Sequence, residues 1–239
     1  MIKLDVLAFG AHPDDVELGA GATMAKLKAA GKRTGIVDLT EGELGTRGTS
    51  ETRKAEAAEA AAILGLSARV NLGLADGFFE DSTENRIKVI EQIRYFQPDV
   101  LLINAPSDRH PDHGRASGLL QTAQFLSGLR RISTVYNGEE QAPWRPRLVL
   151  KYIQFLPLEP QVIVDVTGFI DLKVKSCLAY KTQFFNPNSQ EPSTAISSAN
   201  FLESITYRSR DWGRIIGTEA GEAFLMERTP GIADVFDLI

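Results

Sequence analysis

Apolar residues arrive along this chain in short unbroken runs, each followed by a stretch with helical spacing. The first run, "LDVLAFG" at residues 4–10, is too apolar to face water on either side and predicts a buried strand. From residue 14 to 30 the spacing changes. Val16, Ala20, Met24 and Leu27 recur every three or four positions, and Gly31 follows as a terminator. The alternation then repeats. "RTGIVDLT" predicts a second strand, "SETRKAEAAEAAAILG" a helix ended by Gly65, and "ARVNLGL" a third strand. Asp81 and Glu84 resemble a capping box ahead of a helix that buries Val89, Ile93 and Phe96 and stops at Pro98. "DVLLINAP" predicts a fourth strand, and residues 113–127 a fourth helix.

Strands alternating with helices form right-handed βαβ units. The expected fold is α/β and Rossmann-like: a mostly parallel sheet with helices on both faces. After residue 127 the pattern changes. "RLVLKYIQF" and "QVIVDVT" read as strands joined by a Pro-containing turn, an antiparallel extension. A helix over 168–182 follows, then the polar "FNPNSQEPSTAISSAN", read as a surface loop or lid. Residues 199–212 predict a helix and "EAFLMERT" a last strand. With no repeat and no sharp boundary, residues 1–239 read as one domain with a small C-terminal extension.

Composition narrows the function. The formal net charge is −5 and no Lys/Arg run marks a nucleic-acid footprint, so no nucleic-acid partner is expected. No run approaches the roughly 20 apolar residues of a membrane span, and "MIKLDVLAFG" lacks a secretory pattern, so a cytoplasmic protein without a membrane partner is expected. Cys177 is the single cysteine; it excludes an intrachain disulfide or a Cys-rich metal site and reads as packing.

The histidines change the picture most. All three, His12, His110 and His113, fall just after predicted strands, in "AHPDD" and "DRHPDH". In a parallel sheet, ligands bind beyond the carboxyl ends of strands. His12 and Asp15 are three apart and can share one side of a first helical turn, and His113 can close a triangle from the second segment. Three protein ligands with an open position are the usual catalytic zinc arrangement; other first-row divalent metals fit the same donors. Adjacent residues on a helical turn point about 100° apart, so Asp14 is free to act as a base on water. His110 can polarise a carbonyl, and Asp112 can orient His110 or simply cap the helix. Asp residues are common caps and histidines are often structural. The convergence of all three histidines on two short motifs is what favours a metal.

"AHPDD" and "HPDH" together resemble the signature of the LmbE/PIG-L family of zinc-dependent N-acetylglucosaminyl deacetylases. "LTEGELGTRGT", the "RKAE" starting at Arg53, "YKTQF" and "GTEAGEAF" are also similar to that family. The branch it resembles is the bacillithiol-pathway deacetylase, acting on N-acetylglucosaminyl malate. The resemblance implies a Rossmann-like fold and a homohexamer. It implies His12, Asp15 and His113 as zinc ligands, Asp14 as general base and His110 on the oxyanion side. One departure is Lys181, where many relatives carry histidine. A small-molecule GlcNAc conjugate is the implied substrate. Arg53, implied by the family as a sugar or aglycone contact, lies with Arg47 and Arg109 after predicted strands, where each can clamp a carboxylate or serve as a solvated helix residue. Glu41 and Glu43 are candidates for sugar hydroxyls or loop caps, and Trp144 for stacking, an interface or core packing. Other GlcNAc conjugates, mycothiol-type or chitooligosaccharide, remain the alternative. A nucleotide site is disfavoured, because "GAG" at 19–21 sits inside a helix. A purely regulatory metal protein is disfavoured by the spare carboxylate of Asp14.

Overall fold

The structure is a computed structural model describing residues 2–238. Its first half follows the alternation: β1 (Val6–Gly10), α1 (Asp15–Ala29), β2 (Thr34–Thr40), α2 (Ser50–Leu64), β3 (Ala68–Leu74), α3 (Thr83–Phe96), β4 (Val100–Asn104) and α4 (Pro111–Ser127). A two-stranded ladder follows, β5 (Val135–Tyr136) and β6 (Glu139–Glu140), turned by Asn137 and Gly138 at φ 51° and 81°. Then come β7 (Leu148–Tyr152), β8 (Val162–Asp165), α5 (Ile170–Leu178), α6 (Ala199–Ile215) and β9 (Gly221–Met226).

One seven-stranded sheet runs in the order β3-β2-β1-β4-β7-β9-β8. The five strands from β3 to β7 are parallel to their neighbours, and β9 is antiparallel to both β7 and β8. The period of two along β1 divides the core. Leu7 and Phe9 pack with Val89 and Ile93 of α3 and Leu119 and Leu120 of α4. Val6 and Ala8 pack on the other face with Val16, Ala20 and Met24 of α1 and with Tyr152 and Phe224. Every residue of β1 and β2 is buried, which explains their largely apolar sequence; the charged exception, Asp38 of β2, is paired with Arg69 at 2.8 Å.

The chain moves outward through β1, β2 and β3, then crosses back to place β4 on the other side of β1. The β1/β4 junction is therefore the switch point, where the loops after the two strands diverge and leave a crevice. Both histidine motifs emerge there.

Two expectations are corrected. The strands "RLVLKYIQF" and "QVIVDVT" do not pair with each other, because β9 inserts between β7 and β8. Alternating apolar positions mark a strand without naming its partner. The α3 cap is Ser82, whose hydroxyl accepts from Asn85 N–H at 3.2 Å, while Asp81 pairs with Arg86 at 2.6 Å. Among the described residues no helix is long and apolar enough to cross a membrane.

Helix α1 is interrupted at Ala20 (φ −142°, ψ 15°). The buried carboxylate of Glu222 on β9 accepts from Ala22 N–H at 3.0 Å and Thr23 N–H at 2.7 Å, and from Lys173 Nζ of α5 at 2.6 Å. A strand side chain thus caps the helix segment that restarts after the break.

Candidate active site

Strand β1 ends at Gly10, and the next five residues bring His12, Asp14 and Asp15 to the crevice. Asp14 is the residue before α1 and has φ 115°, a conformation rare outside glycine. Such strain persists where the surroundings fix it. Here Arg53 of α2 donates through Nη2 to the carbonyl of Pro13 and to Asp14 Oδ2, the latter at 3.2 Å. Gly42 leaves room for this arginine, since a Cβ there would collide with Arg53 Nη1. Glu17, one turn on, is held by Arg69 Nη1 at 2.6 Å and the Tyr180 hydroxyl at 3.0 Å.

After β4, "SDRHPDH" supplies the other side. His110 caps α4 with Pro111 behind it, and His113 sits in the first turn. The ring centroids of His12, His110 and His113 lie 4.6, 5.4 and 5.7 Å apart pairwise. Asp15 lies between: its Oδ1 is 3.1 Å from His113 Nε2 and its Oδ2 is 3.7 Å from His12 Nδ1.

The remaining nitrogen of each outer histidine is occupied. His12 Nε2 lies 3.0 Å from Asp76 Oδ1 and 3.3 Å from Asp112 Oδ2. His113 Nδ1 lies 2.7 Å from Asp108 Oδ2. Asp15 itself accepts from Gln154 Nε2 at 2.8 Å, Asn104 Nδ2 at 3.2 Å and His12 N–H at 3.0 Å. Carboxylates on the far nitrogens of metal-binding imidazoles fix ring orientation and tautomer. Ligand atoms of His12, His110 and His113, or of His12, Asp76 and Asp112, come within 4.8 Å of one another, close enough to share a divalent cation; the expected trio of His12, Asp15 and His113 is not among these groupings.

Electrostatics separate the neighbouring aspartates. Burial pushes the Asp14 carboxyl up to about 7, with Arg53 opposing the shift only in part. Asp15 is held well below the carboxylate range, because His113 and His12 outweigh the effect of burial. Burial, then the nearby His12 and His113, lowers His110.

A cavity of about 470 Å³ opens onto this cluster. It is lined by His12, Asp14, Asp15, His110 and His113, and by Arg53 and Arg109. Other expected residues lie elsewhere. The carboxylate of Asp112 is fully buried against His12, Gly77 N–H and Arg115; only its backbone N–H meets His110 Nδ1, at 3.3 Å. It therefore holds His12 rather than His110. Arg47 is buried away from the cavity, where its guanidinium meets Ser189 at 2.5 Å. Glu41 faces a separate groove of about 340 Å³ beside Lys54 and Arg69. Glu43 accepts from Asp76 N–H at 2.8 Å. Trp144 packs at the edge of the core and donates to the Pro98 carbonyl, so it offers no stacking face to the cavity. Lys181 is exposed and pairs with Glu59, and Cys177 is buried in an apolar cluster. Ser193, Thr194, Ala195 and Ile196 of the polar loop do line the cavity.

Asp76, Asn104 and Gln154 carry no motif that singles them out in the sequence; Asp108 opens the "DRHPDH" motif, whose spacing does not reveal its contact with His113. Asp76 follows β3, Gln154 follows β7 and Asn104 ends β4, so the strand-end rule that found the histidines also reaches them.

A family model described as GlcNAc-PI de-N-acetylase, PIG-L, matches residues 7–123, the span that carries both histidine motifs. The conserved protein TT1542 of Thermus thermophilus is 37% identical over 96% of this chain and 98% of its own, with a TM-score of 0.85. The uncharacterized deacetylase YaiS of Escherichia coli is 36% identical over 114 residues, 45% of this chain. The diacetylchitobiose deacetylase of Thermococcus kodakarensis is 26% identical over 75% of this chain. These matches span 61% of YaiS and 70% of the chitobiose enzyme, so the chain covers less than two thirds of the former. The chain belongs to the PIG-L family.

Proposed function

We propose that this protein hydrolyses the N-acetyl amide of an N-acetylglucosamine conjugate, using a zinc ion held by His12, Asp15 and His113. The observation that carries the reading is the division of each imidazole. His12 Nε2 and His113 Nδ1 are engaged by carboxylates, which leaves His12 Nδ1 and His113 Nε2 turned toward Asp15. The ion, when bound, polarises the amide carbonyl and eases deprotonation of the attacking water.

The other residues complete the reaction. Asp14, buried and raised to about 7, takes the proton of the attacking water and returns it to the departing amine. Arg53 fixes the Asp14 carboxylate from one side. His110, also on the cavity wall, donates to the carbonyl oxygen as it gains charge. Asp112 and Asp76 position His12, and Asp108 positions His113.

The similarity to the bacillithiol-pathway branch favours GlcNAc-malate as the conjugate. The similarity to a chitobiose deacetylase favours a neutral oligosaccharide as the second reading. A homohexamer is the assembly implied by that branch, and light scattering measures it directly. The central experiment combines metal analysis with primary-amine release from GlcNAc-malate, GlcNAc-inositol and diacetylchitobiose. Stoichiometric zinc and acetate release from one conjugate are expected. Absence of bound metal in wild type, or undiminished zinc affinity in His113→Ala, overturns the assignment.

A further inference from the structure

Four cationic side chains line the cavity: Arg53, Arg109, Lys173 and Arg208. Two are neutralised within the protein. Arg53 Nη2 lies 3.2 Å from Asp14 Oδ2, and Lys173 Nζ lies 2.6 Å from Glu222 Oε1. Among the described residues, Arg109 and Arg208 have no carboxylate within ion-pair distance. Arg208, on α6, bonds through Nη1 to the backbone carbonyl of Gln154. Arg109 lies 5.0 Å above the ring of Phe155, the next residue along. The two guanidiniums therefore flank one short segment after β7, and Phe155 is fixed there by stacking on Phe201 at 6.0 Å.

Holding a guanidinium partly out of water without a counter-charge costs free energy. For Arg208 this desolvation lowers the pKa, and Asp108 and Tyr207 offset it only in part. The carboxylates around the crevice are committed elsewhere. Asp14 faces Arg53, Asp15 and Asp108 face His113, and Asp76 faces His12. Uncompensated positive charge is thus confined to the Arg109–Phe155–Arg208 wall. That wall adjoins the metal cluster through Gln154, whose side chain bonds Asp15 while its carbonyl bonds Arg208. A substrate whose amide lies at Asp15 and His110 would extend its far end along this wall.

We infer that Arg208, with Arg109, forms an anion subsite for a carboxylate or phosphate on the aglycone, and that Arg208 determines specificity for anionic over neutral conjugates. This rests on the proposed deacetylation. The planar fork of arginine suits both anions, because each offers two oxygens to parallel N–H donors.

The test uses metal-loaded enzyme and three substrates that differ only at the anomeric substituent: the carboxymethyl glycoside of GlcNAc, GlcNAc 1-phosphate and the neutral methyl glycoside. Wild type is expected to favour at least one anionic substrate by about 10- to 100-fold in kcat/KM, mainly through KM. The relative rates of the carboxylate and phosphate substrates show which anion the site takes. Arg208→Met should remove most of that preference and leave the methyl glycoside rate within about threefold, which also shows that the variant is folded. Arg208→Lys should retain part of it. Equal kcat/KM for anionic and neutral substrates in wild type, or equal losses on both in Arg208→Met, overturns the inference. If no substrate is turned over, the proposed reaction fails, and calorimetric binding still decides the subsite. Preferential binding of either anionic ligand, lost in Arg208→Met, supports it; equal binding of all three overturns it.

Discussion

Glu222→Gln should be among the most destabilising single-atom changes available in this chain, and Lys173→Met should cost less. The Glu222 carboxylate is 2% exposed and accepts three charge-assisted bonds, two from the restarting segment of α1 and one from Lys173. Gln keeps the shape but leaves Lys173, itself 5% exposed, as an uncompensated buried cation. Breaking a buried pair in this way costs about 3–5 kcal/mol. For a chain of this size that is a fall in Tm of roughly 6–20 °C. Lys173→Met removes the cation but leaves the carboxylate on two backbone donors, so the expected cost is about 1–3 kcal/mol. The double variant removes the stranded lysine and should be more stable than the sum of the singles implies, with a coupling of about 2 kcal/mol. Denaturant titrations of the four proteins, with metal content equalised, give the cycle. A Lys173→Met cost larger than that of Glu222→Gln, or additivity within about 0.5 kcal/mol, would refute the view that Glu222 caps a broken helix and neutralises Lys173.

Four further outcomes are expected. Asp14→Asn should retain metal and lose about 10²- to 10⁴-fold in kcat with little change in KM, whereas Asp15→Asn should lose metal under mild chelation; the opposite pattern exchanges their roles. In metal-free protein the folded Asp14 pKa of about 7 exceeds its unfolded value of 3.8, so folding takes up a proton between these pH values. Stability from this group therefore falls as pH rises through that window, and the Tm difference between wild type and Asp14→Asn should change across it. Arg53→Met removes the cation that opposes this shift, so the acid limb of kcat/KM should move to higher pH; an unmoved limb would separate Arg53 from Asp14. Limited proteolysis should cut first within 186–198 and slow when a substrate or product fills the cavity that Ser193–Ile196 line; equal rates with saturating ligand would reject a lid.

The parallel half of the fold was legible because its buried strands are mostly apolar runs and its helices carry their own stops. Gly31 and Gly65 have φ of 80° and 64° at the ends of α1 and α2, a conformation glycine adopts without penalty. The rest depended on non-local pairing. The insertion of β9 between β7 and β8 joins segments about sixty to seventy-five residues apart, and no local period encodes it. The Asn137–Gly138 hairpin does carry a local signal, since Asn-Gly is the favoured turn for such ladders, but its two-residue strands are too short to show alternation. The break in α1 leaves no mark in the spacing of Val16, Ala20 and Met24, because its compensation comes from Glu222, about two hundred residues later.

The candidate site shows the same division. Groups that face the crevice occur in compact motifs, because one strand end and one helical turn can present several of them together. His12, Asp14 and Asp15 follow β1, and His110 and His113 follow β4. Several of the groups that hold them come from whichever strand passes behind, while Asp108 holds His113 from within the second motif. Asp76 reaches His12 from after β3, and Gln154 reaches Asp15 from after β7. Asp112 lies inside a motif, yet its role was not legible there, because its helical position turns its carboxylate to His12 instead of His110. Asp76 also ties this support to the rim, since its second oxygen accepts from Leu44 N–H at 2.9 Å and its own N–H donates to Glu43. The loop after β2 is thereby fixed to the carboxylate that orients His12. A change at Glu43 should consequently reach the metal cluster through two hydrogen bonds without touching the cavity. Glu43→Gln, which keeps an acceptor for the Asp76 N–H, should preserve metal affinity where Glu43→Ala weakens it. Equal affinity in both variants would show that the Asp76 backbone needs no such tether.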